Sequence, residues 1–130
     1  MTVVIDASAL IVALIDSGPE GRWAAALIGR EDLAAPEILP PEVGNALRRL
    51  ELDGRVSTAE ATLAYSDLLR LNLELFPFGP LSQRIWELRH SVTCYDACYV
   101  ALAEALACPL ATLDRRLMSG NGVACEFTGP

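Results

Sequence analysis

The sequence predicts an α/β fold with a short, largely parallel central sheet flanked by helices. Short apolar runs recur along the chain, as in strands that are buried on both faces. Between them lie longer stretches with apolar residues three and four positions apart, which is typical of helices that pack on a sheet. No linker, repeat or low-complexity segment interrupts the 130 residues. We therefore expect a single domain over residues 1–130.

The first strand and the helices after it are marked by composition and by chain breakers. Thr2–Ile5 is short, continuous and β-branched, which indicates a fully buried strand. A helix follows to about Asp16, where a Gly-Pro pair ends it. The next helix, residues 20–28, places Trp23 and Leu27 one turn apart on one face.

The middle of the chain predicts a strand and two further helices. Residues 33–35 form a short apolar strand, and a Pro-Pro pair then introduces a helix that runs to about Asp53. The apolar stripe of that helix consists of Val43, Ala46, Leu47 and Leu50. Ser57 and Glu60 have the spacing of a capping box, so the following helix begins there and continues to about Leu71.

The last third of the chain continues the alternation of strand and helix. Residues 73–76 predict a strand, and residues 81–89 predict a helix that buries Ile85, Trp86 and Leu88. The remaining predicted elements are a helix at 96–107, a strand at 110–112, a short helix at 115–118 and a final strand at 123–127.

The charged residues exclude several classes of phosphate-handling protein. All ten basic residues are arginine, and no lysine is present. A Walker-type phosphate loop requires a lysine, and receiver domains and haloacid-dehalogenase-type phosphatases also depend on one. The net charge of −7 argues against electrostatic binding of nucleic acid over the whole surface. It does not exclude a nuclease in which a metal ion neutralises some of the acids.

Cysteine spacing and hydropathy indicate a soluble protein of the reducing cytoplasm. The four cysteines lack paired CxxC spacing and His90 is the only histidine, so no structural zinc site is expected, and small buried thiols are expected instead. The N-terminus has no basic region typical of a secretory signal. The longest apolar run is too short to cross a bilayer, so we expect a cytoplasmic location and no membrane partner.

Four carboxylates stand at the boundaries between apolar stretches and the elements that follow them. Asp6 and Asp114 each follow a predicted strand, and ligands of open α/β sheets collect beyond the carboxyl ends of the strands. Glu42 and Asp96 lie in the first turn of predicted helices, where the helix dipole favours an ionised carboxylate. Each acid alone is typical of a helix cap. Clustered, they would repel one another unless they held a divalent cation, which indicates metal-dependent chemistry on a phosphate ester.

Four segments contain these acids: VIDASAL at 4–10, PEVGNALRR at 41–49, YDACYVALA at 95–103 and ATLDRRL at 111–117. In this order and over nearly the whole chain, they resemble the signature segments of the PIN-domain family. More narrowly, they are similar to the VapC toxins of bacterial type II toxin–antitoxin systems. The resemblance implies a PIN-like three-layer fold and a toxin that acts as a Mg²⁺- or Mn²⁺-dependent endoribonuclease, in which metal-activated water attacks an RNA phosphodiester.

The resemblance also implies roles for individual residues. Asp6, Glu42, Asp96 and Asp114 match the acidic quartet of the family, which serves both catalysis and metal binding. The residues expected to orient these acids are Ser8, Thr112 and Asn45. The residues expected to contact RNA phosphates are Arg49, Arg115 and Arg116. The implied partners are a cognate antitoxin protein, the RNA substrate and a second copy of the chain in a homodimer.

Two other functions remain open from the sequence. A PIN-like module could bind RNA or a protein without cutting it, although loss of one acid would be expected in that case and all four are present. A metal-dependent phosphatase or a DNA-directed nuclease could use the same acids, because the chemistry at phosphorus is the same. The 2′-hydroxyl distinguishes RNA from DNA, and no residue can be assigned to reading it.

Overall fold

Five parallel strands form the central sheet of the computed structural model, which describes all 130 residues. The strands are β1 (Thr2–Ile5), β2 (Asp32–Pro36), β3 (Leu73–Phe76), β4 (Leu110–Ala111) and β5 (Phe127–Thr128). The helices are α1 (Ala7–Ile15), α2 (Pro19–Arg30), α3 (Leu39–Leu52), α4 (Thr58–Arg70), α5 (Ser82–Glu87), α6 (Cys94–Leu106) and α7 (Arg115–Met118). A 3₁₀ turn, Gly79–Leu81, precedes α5. The sheet is entirely parallel, which confirms the predicted fold class.

The strand order, β3-β2-β1-β4-β5, determines where the helices lie and where a ligand can bind. The chain moves in one direction from β1 through β2 to β3, then returns to the other side of β1 with β4. Because crossover connections between parallel strands are right-handed, the helices α1 to α4 cover one face and α5 and α6 the other. The order reverses between β1 and β4, so the crevice at their carboxyl ends is the expected ligand site.

The core is built around β1 and α6. Val3, Val4 and Ile5 are at most 3% exposed, as expected for a strand covered on both faces. Every residue of α6 from 97 to 103 is buried, because this helix packs against β1, β2 and β4 while α5 lies beside it. The continuous apolar run seen in the sequence is therefore a buried helix rather than a strand.

Several element boundaries follow from local signals that the sequence displays. The Ser57 hydroxyl accepts a hydrogen bond from the Glu60 backbone N–H (3.0 Å), and the Glu60 carboxylate accepts one from the Ser57 N–H (3.0 Å), which confirms the capping box. The helix α3 begins at Leu39, earlier than predicted, since proline is tolerated in the first turn. The last strand is shorter than predicted and begins only at Phe127.

Two predictions about burial are wrong. Trp86 is 62% exposed. Ile85 and Leu88 occupy the buried face of the short helix α5, and Trp86, which follows Ile85 in sequence, points away from that face. All four cysteines are free thiols, but Cys94 is exposed at the start of α6 rather than buried. No helix is long and apolar enough to cross a membrane.

An ion pair attaches the C-terminal segment to the rest of the molecule. The Arg84 side chain of α5 donates two hydrogen bonds to the Glu104 carboxylate of α6 (2.6 and 3.1 Å) and one to the Gly122 carbonyl (2.7 Å). Glu104 also accepts a hydrogen bond from the Ala124 backbone N–H (2.8 Å). This pair lowers the pKa of Glu104, mainly through the hydrogen bond from Arg84.

Candidate active site

Asp6 lies at the carboxyl end of β1 and forms the centre of a hydrogen-bonded network. Its Oδ1 accepts bonds from the Ser8 hydroxyl (2.7 Å) and from the Ala9 backbone N–H (3.0 Å), so the residue caps α1. Its Oδ2 accepts a bond from the Thr112 hydroxyl. Asp6 is 7% exposed, and burial raises its pKa; the hydrogen bonds lower it, and repulsion from Asp96 raises it further.

Ser8 and Thr112 join the ends of the two central strands at this carboxylate. The Ser8 hydroxyl accepts a hydrogen bond from the Leu113 backbone N–H (3.0 Å), while the Thr112 hydroxyl accepts one from the Asp114 N–H (3.0 Å). Both hydroxyls donate to Asp6, and Thr112 is completely buried. The segment that leads to Asp114 is thus hydrogen-bonded to the same two side chains that bind Asp6.

Glu42 reaches the site from the first turn of α3 and is held by a tyrosine. The Tyr99 hydroxyl of α6 donates a hydrogen bond to Glu42 Oε1. Burial raises the pKa of Glu42, the bond from Tyr99 lowers it, and repulsion from Asp96 and Asp6 raises it. Tyr99 is 2% exposed, and burial together with the Glu42 carboxylate also raises its own pKa.

Asp96 and Asp114 complete the predicted set from two helix starts. Asp96 is the third residue of α6, where its backbone N–H donates to the Thr93 hydroxyl (3.1 Å). Its pKa is raised by burial and by repulsion from Asp114, and the positive charge of Arg116 opposes this. Asp114 caps α7 with Oδ1, which accepts from the Arg116 N–H (2.9 Å) and the Leu117 N–H (3.3 Å).

The four carboxylates repel one another and so belong to one electrostatic cluster, and no basic side chain is paired with any of them. Repulsion links Asp6 with Asp96 and with Glu42, and it links Asp96 with Glu42 and with Asp114. None of the four forms an ion pair with an arginine within 4.0 Å; the ion pairs of the chain lie elsewhere. The atoms that these four side chains offer to a metal ion are all carboxylate oxygens, which are the ligands of hard cations such as Mg²⁺ and Mn²⁺.

The side chains are not yet arranged as a complete ligand set. No group of three His, Cys, Asp or Glu side chains stands ready to hold a metal ion. An ion bound at this edge would therefore have to draw the carboxylates towards one another, and it would relieve the repulsion among them. The carboxylate oxygens thus fit a divalent cation, provided that the side chains move towards one another when it binds.

A cleft of about 450 Å³ opens beside the acids. The charged residues that line it are Asp96, Asp114, Arg89 and Arg116, and His90 lines it as well. The other predicted RNA contacts lie outside it. Arg49 is exposed on α3, as is Asn45, whose side chain makes no hydrogen bond to the acids. Arg115 lines a separate cavity that also contains Glu20.

Tyr99 is the site residue that sequence reasoning missed. It stands three positions after Asp96, so both side chains project from the same face of α6. A phenol within an otherwise apolar helix requires a hydrogen-bond partner when it is buried. That requirement was the available signal, but the partner lies 57 positions away in the sequence, on α3.

Comparison with known proteins identifies similar chains. The family model described as PIN domain matches residues 3–119. The chain is 42% identical to ribonuclease VapC1 of Mycobacterium tuberculosis over 125 residues, which covers 95% of this chain and 94% of VapC1. Among solved structures, VapC20 of M. tuberculosis, described as a sarcin-ricin loop cleaving toxin, superposes with a TM-score of 0.71 at 16% identity and covers 98% of this chain and 99% of that one. VapBC-5 of M. tuberculosis, a member of the VapBC family of toxin–antitoxin systems, superposes with a TM-score of 0.63 at 20% identity, covering 99% and 98%.

Proposed function

The chain belongs to the PIN-domain family, and from that membership we propose that it is a toxin ribonuclease of a type II toxin–antitoxin system that requires Mg²⁺ or Mn²⁺. The observation that carries the proposal is the mutual repulsion of four carboxylates, which follow β1 and β4 or lie in the first turns of α3 and α6, with no arginine paired to any of them. Its 42% identity to a protein named ribonuclease VapC1 supports RNA as the substrate.

Asp6 and Asp96 are the proposed principal ligands of the cation, and Glu42 and Asp114 orient the attacking water or complete the ligand set. Three of these acids have a raised pKa, with burial as the largest cause. A bound cation favours their ionised forms and so offsets that burial. Asp114 uses one oxygen to cap α7, which leaves the other available to a ligand.

When bound, a divalent cation lowers the pKa of the attacking water and offsets charge on the scissile phosphate. The chain's own residues hold the acids in place for this. Ser8 and Thr112 restrict the Asp6 carboxylate through both of its oxygens, and Tyr99 restricts Oε1 of Glu42. Asn45 remains a proposed contributor beside Glu42.

We propose that Arg49, Arg115 and Arg116 contact the RNA backbone, with Arg116 nearest to the acids because it lines the same cleft. A cognate antitoxin and a second copy of the chain are the proposed protein partners, in keeping with the resemblance to VapC toxins. An enzyme that cuts cellular RNA acts where that RNA is found, so we expect it in the cytoplasm.

Replacing Asp96 tests the proposal. Asp96→Asn should abolish Mn²⁺-dependent cleavage of RNA, because it removes a negatively charged ligand, and it should leave the fold intact. The control is Asp53→Asn at the exposed end of α3, which should cleave at the rate of the parent protein. The assay follows labelled RNA and single-stranded DNA with Mn²⁺ and with EDTA. Wild-type cleavage by Asp96→Asn would contradict the site, and cleavage of DNA alone would favour the DNA-directed nuclease.

A further inference from the structure

The cleft beside the acids is lined by residues of both charges. Asp96 and Asp114 belong to the proposed catalytic set, whereas Arg116 lies on α7, and Arg89 and His90 lie in the loop between α5 and α6. Its volume of about 450 Å³ lies within the range of about 300–1,000 Å³ that is typical of ligand sites. A polar cleft lined by both acids and arginines is suited to a polyanion whose reacting phosphate lies beside the acids while its other phosphates contact the arginines.

Neither arginine of the cleft forms a close ion pair with the protein, although the charge of Arg116 acts on Asp96 at longer range. Arg89 and Arg116 form no ion pair within 4.0 Å, whereas Arg84 of α5 is engaged with Glu104 and Glu87. In a chain with a net charge of −7, two unpaired arginines beside a cluster of acids leave positive charge available to a ligand.

Arg89 is held in place by the exposed tryptophan. Its guanidinium carbon lies 4.4 Å from the centre of the Trp86 ring, and its Nη1 donates a hydrogen bond to the Trp86 carbonyl (2.8 Å). A cation over an aromatic face loses less conformational freedom when it binds a phosphate, because part of that freedom is already lost. This contact gives the unexpected exposure of Trp86 a physical role.

We propose that this cleft seats the RNA strand adjacent to the scissile bond, with Arg89 and Arg116 contacting neighbouring phosphates and Trp86 supporting Arg89. The inference rests on the proposed function, since it assigns a path to the substrate of the same site. Phosphate contacts position a strand without reading its sequence, so both arginines should contribute to affinity for single-stranded RNA in general.

Binding measurements without a metal test the path independently of cleavage. The probe is a short fluorescein-labelled single-stranded RNA of mixed sequence, titrated in EDTA and followed by anisotropy at several salt concentrations. Arg89→Ala and Arg116→Ala should each weaken binding about fivefold and reduce the slope of log K against log salt by about 0.7, the value for one lost contact to a single strand. Arg89→Lys should retain the slope, because it retains the charge.

The matched control is Arg70→Ala. Arg70 is exposed, forms no ion pair and ends α4 just before the amino end of β3, at the opposite edge of the sheet from the acids. It should bind RNA as the parent protein does. Equal losses in Arg70→Ala and Arg89→Ala, or unchanged affinity and salt slope in both cleft variants, would overturn the inference.

Kinetics separate this inference from the proposed function. With Mn²⁺, Arg89→Ala should raise KM for RNA about fivefold and leave kcat unchanged, since Arg89 binds substrate equally in the ground and transition states. An active parent protein whose cleft variants bind normally would refute the path and leave the ribonuclease proposal standing. A parent protein that binds RNA through the cleft but never cleaves it would refute the ribonuclease proposal and support the path.

Discussion

The Tyr99 hydroxyl donates a hydrogen bond to Glu42, so the helix that carries Asp96 also holds the carboxylate contributed by α3. Asp96 and Tyr99 lie one turn apart on α6. A shift of this helix would therefore displace Asp96 and release Glu42 together, which makes α6 the element that couples the two sides of the proposed metal site.

Removing the Tyr99 hydroxyl should weaken both folding and the site. Tyr99→Phe is expected to lower the free energy of unfolding by about 1.5 kcal/mol, the contribution of a hydrogen bond to a charged group. It should also raise the pKa of Glu42, because the lost bond favours the ionised form. Urea unfolding at neutral pH measures the first effect. Tyr65→Phe, at a half-exposed tyrosine whose hydroxyl makes no hydrogen bond to the protein, is the control and should change stability by less than about 0.5 kcal/mol.

The Thr112 hydroxyl should contribute more to the free energy of unfolding than the Thr112 methyl group does. Thr112→Val keeps the shape but leaves Oδ2 of the buried Asp6 without its donor, which costs about 2 kcal/mol. Thr112→Ser keeps the donor and loses one methyl group, at about 1 kcal/mol. Denaturant unfolding of both variants at one pH gives the order. A serine variant less stable than the valine variant would show that packing, and not the carboxylate contact, determines this position.

The acid cluster should make the metal-free protein more stable in mild acid. Asp6, Glu42 and Asp96 have raised pKa values, so the folded state binds their protons more tightly than the unfolded state does. Their contribution is fully present below the ordinary carboxyl pKa of about 4 and is lost as pH rises through the raised values. Urea unfolding in EDTA should therefore give a free energy of unfolding that falls as pH rises from about 4 towards neutrality.

Asp96→Asn should flatten this pH dependence, since it removes one carboxyl group with a raised pKa and also removes the repulsion that raises the pKa of Asp6 and of Glu42. Glu104 acts in the opposite sense, because its pKa is lowered, but its contribution is lost only as pH falls below the ordinary carboxyl range. Stability that rises steadily from pH 5 to pH 7 would contradict the burial and repulsion described for the cluster.

A specific cation should stabilise the folded protein. At about 100 times its dissociation constant, Mn²⁺ should add about 2.7 kcal/mol to the free energy of unfolding. Glu42→Gln should reduce this gain, because it removes a charged donor, whereas Glu74→Gln on the exposed edge strand β3 should retain it. Thermal unfolding with and without Mn²⁺ measures the difference. An equal gain in all three proteins would indicate binding outside the acid cluster.

The end of α6 contains a removable strain. Ala107 has a φ of 51° and a ψ of 45°, a left-handed conformation that suits glycine better than alanine. Ala107→Gly should raise the free energy of unfolding by about 0.5–1 kcal/mol, because the relief of strain exceeds the added freedom of the unfolded chain. The reciprocal change, Gly54→Ala at a φ of +74°, should lower it by about 1 kcal/mol, since the site is open and only the backbone conformation opposes alanine. Guanidinium unfolding compares the two.

Elements with strong local signals could be predicted from the sequence. The strand β1 has the predicted bounds, Thr2–Ile5, because a β-branched run between polar ends admits few alternatives. The start of α4 was specified by Ser57 and Glu60, because the side chain of each accepts a hydrogen bond from the backbone N–H of the other. The four acids could be named because each is tied to an element boundary, and repulsion links them in the structure, but their role as a metal site remains a prediction.

Features that depend on distant packing could not be predicted. Whether Trp86 or its neighbours would face the core depended on the rotation of α5, which its contact with α6 determines. The partner of Tyr99 depended on the position of α3 relative to α6. The length of β5 depended on its pairing with the two-residue strand β4, which offers no further residues to pair with.

The Arg84–Glu104 pair makes the final strand dependent on the helices above it. One oxygen of the Glu104 carboxylate accepts hydrogen bonds from both the Arg84 guanidinium and the Ala124 backbone N–H. Opening the C-terminal segment would therefore remove a donor from this carboxylate and expose its charge to water. That amide, only a few positions from the last residue, should consequently exchange with deuterium at the pace of α6 rather than fray freely. We therefore expect the C-terminal segment to open together with α6.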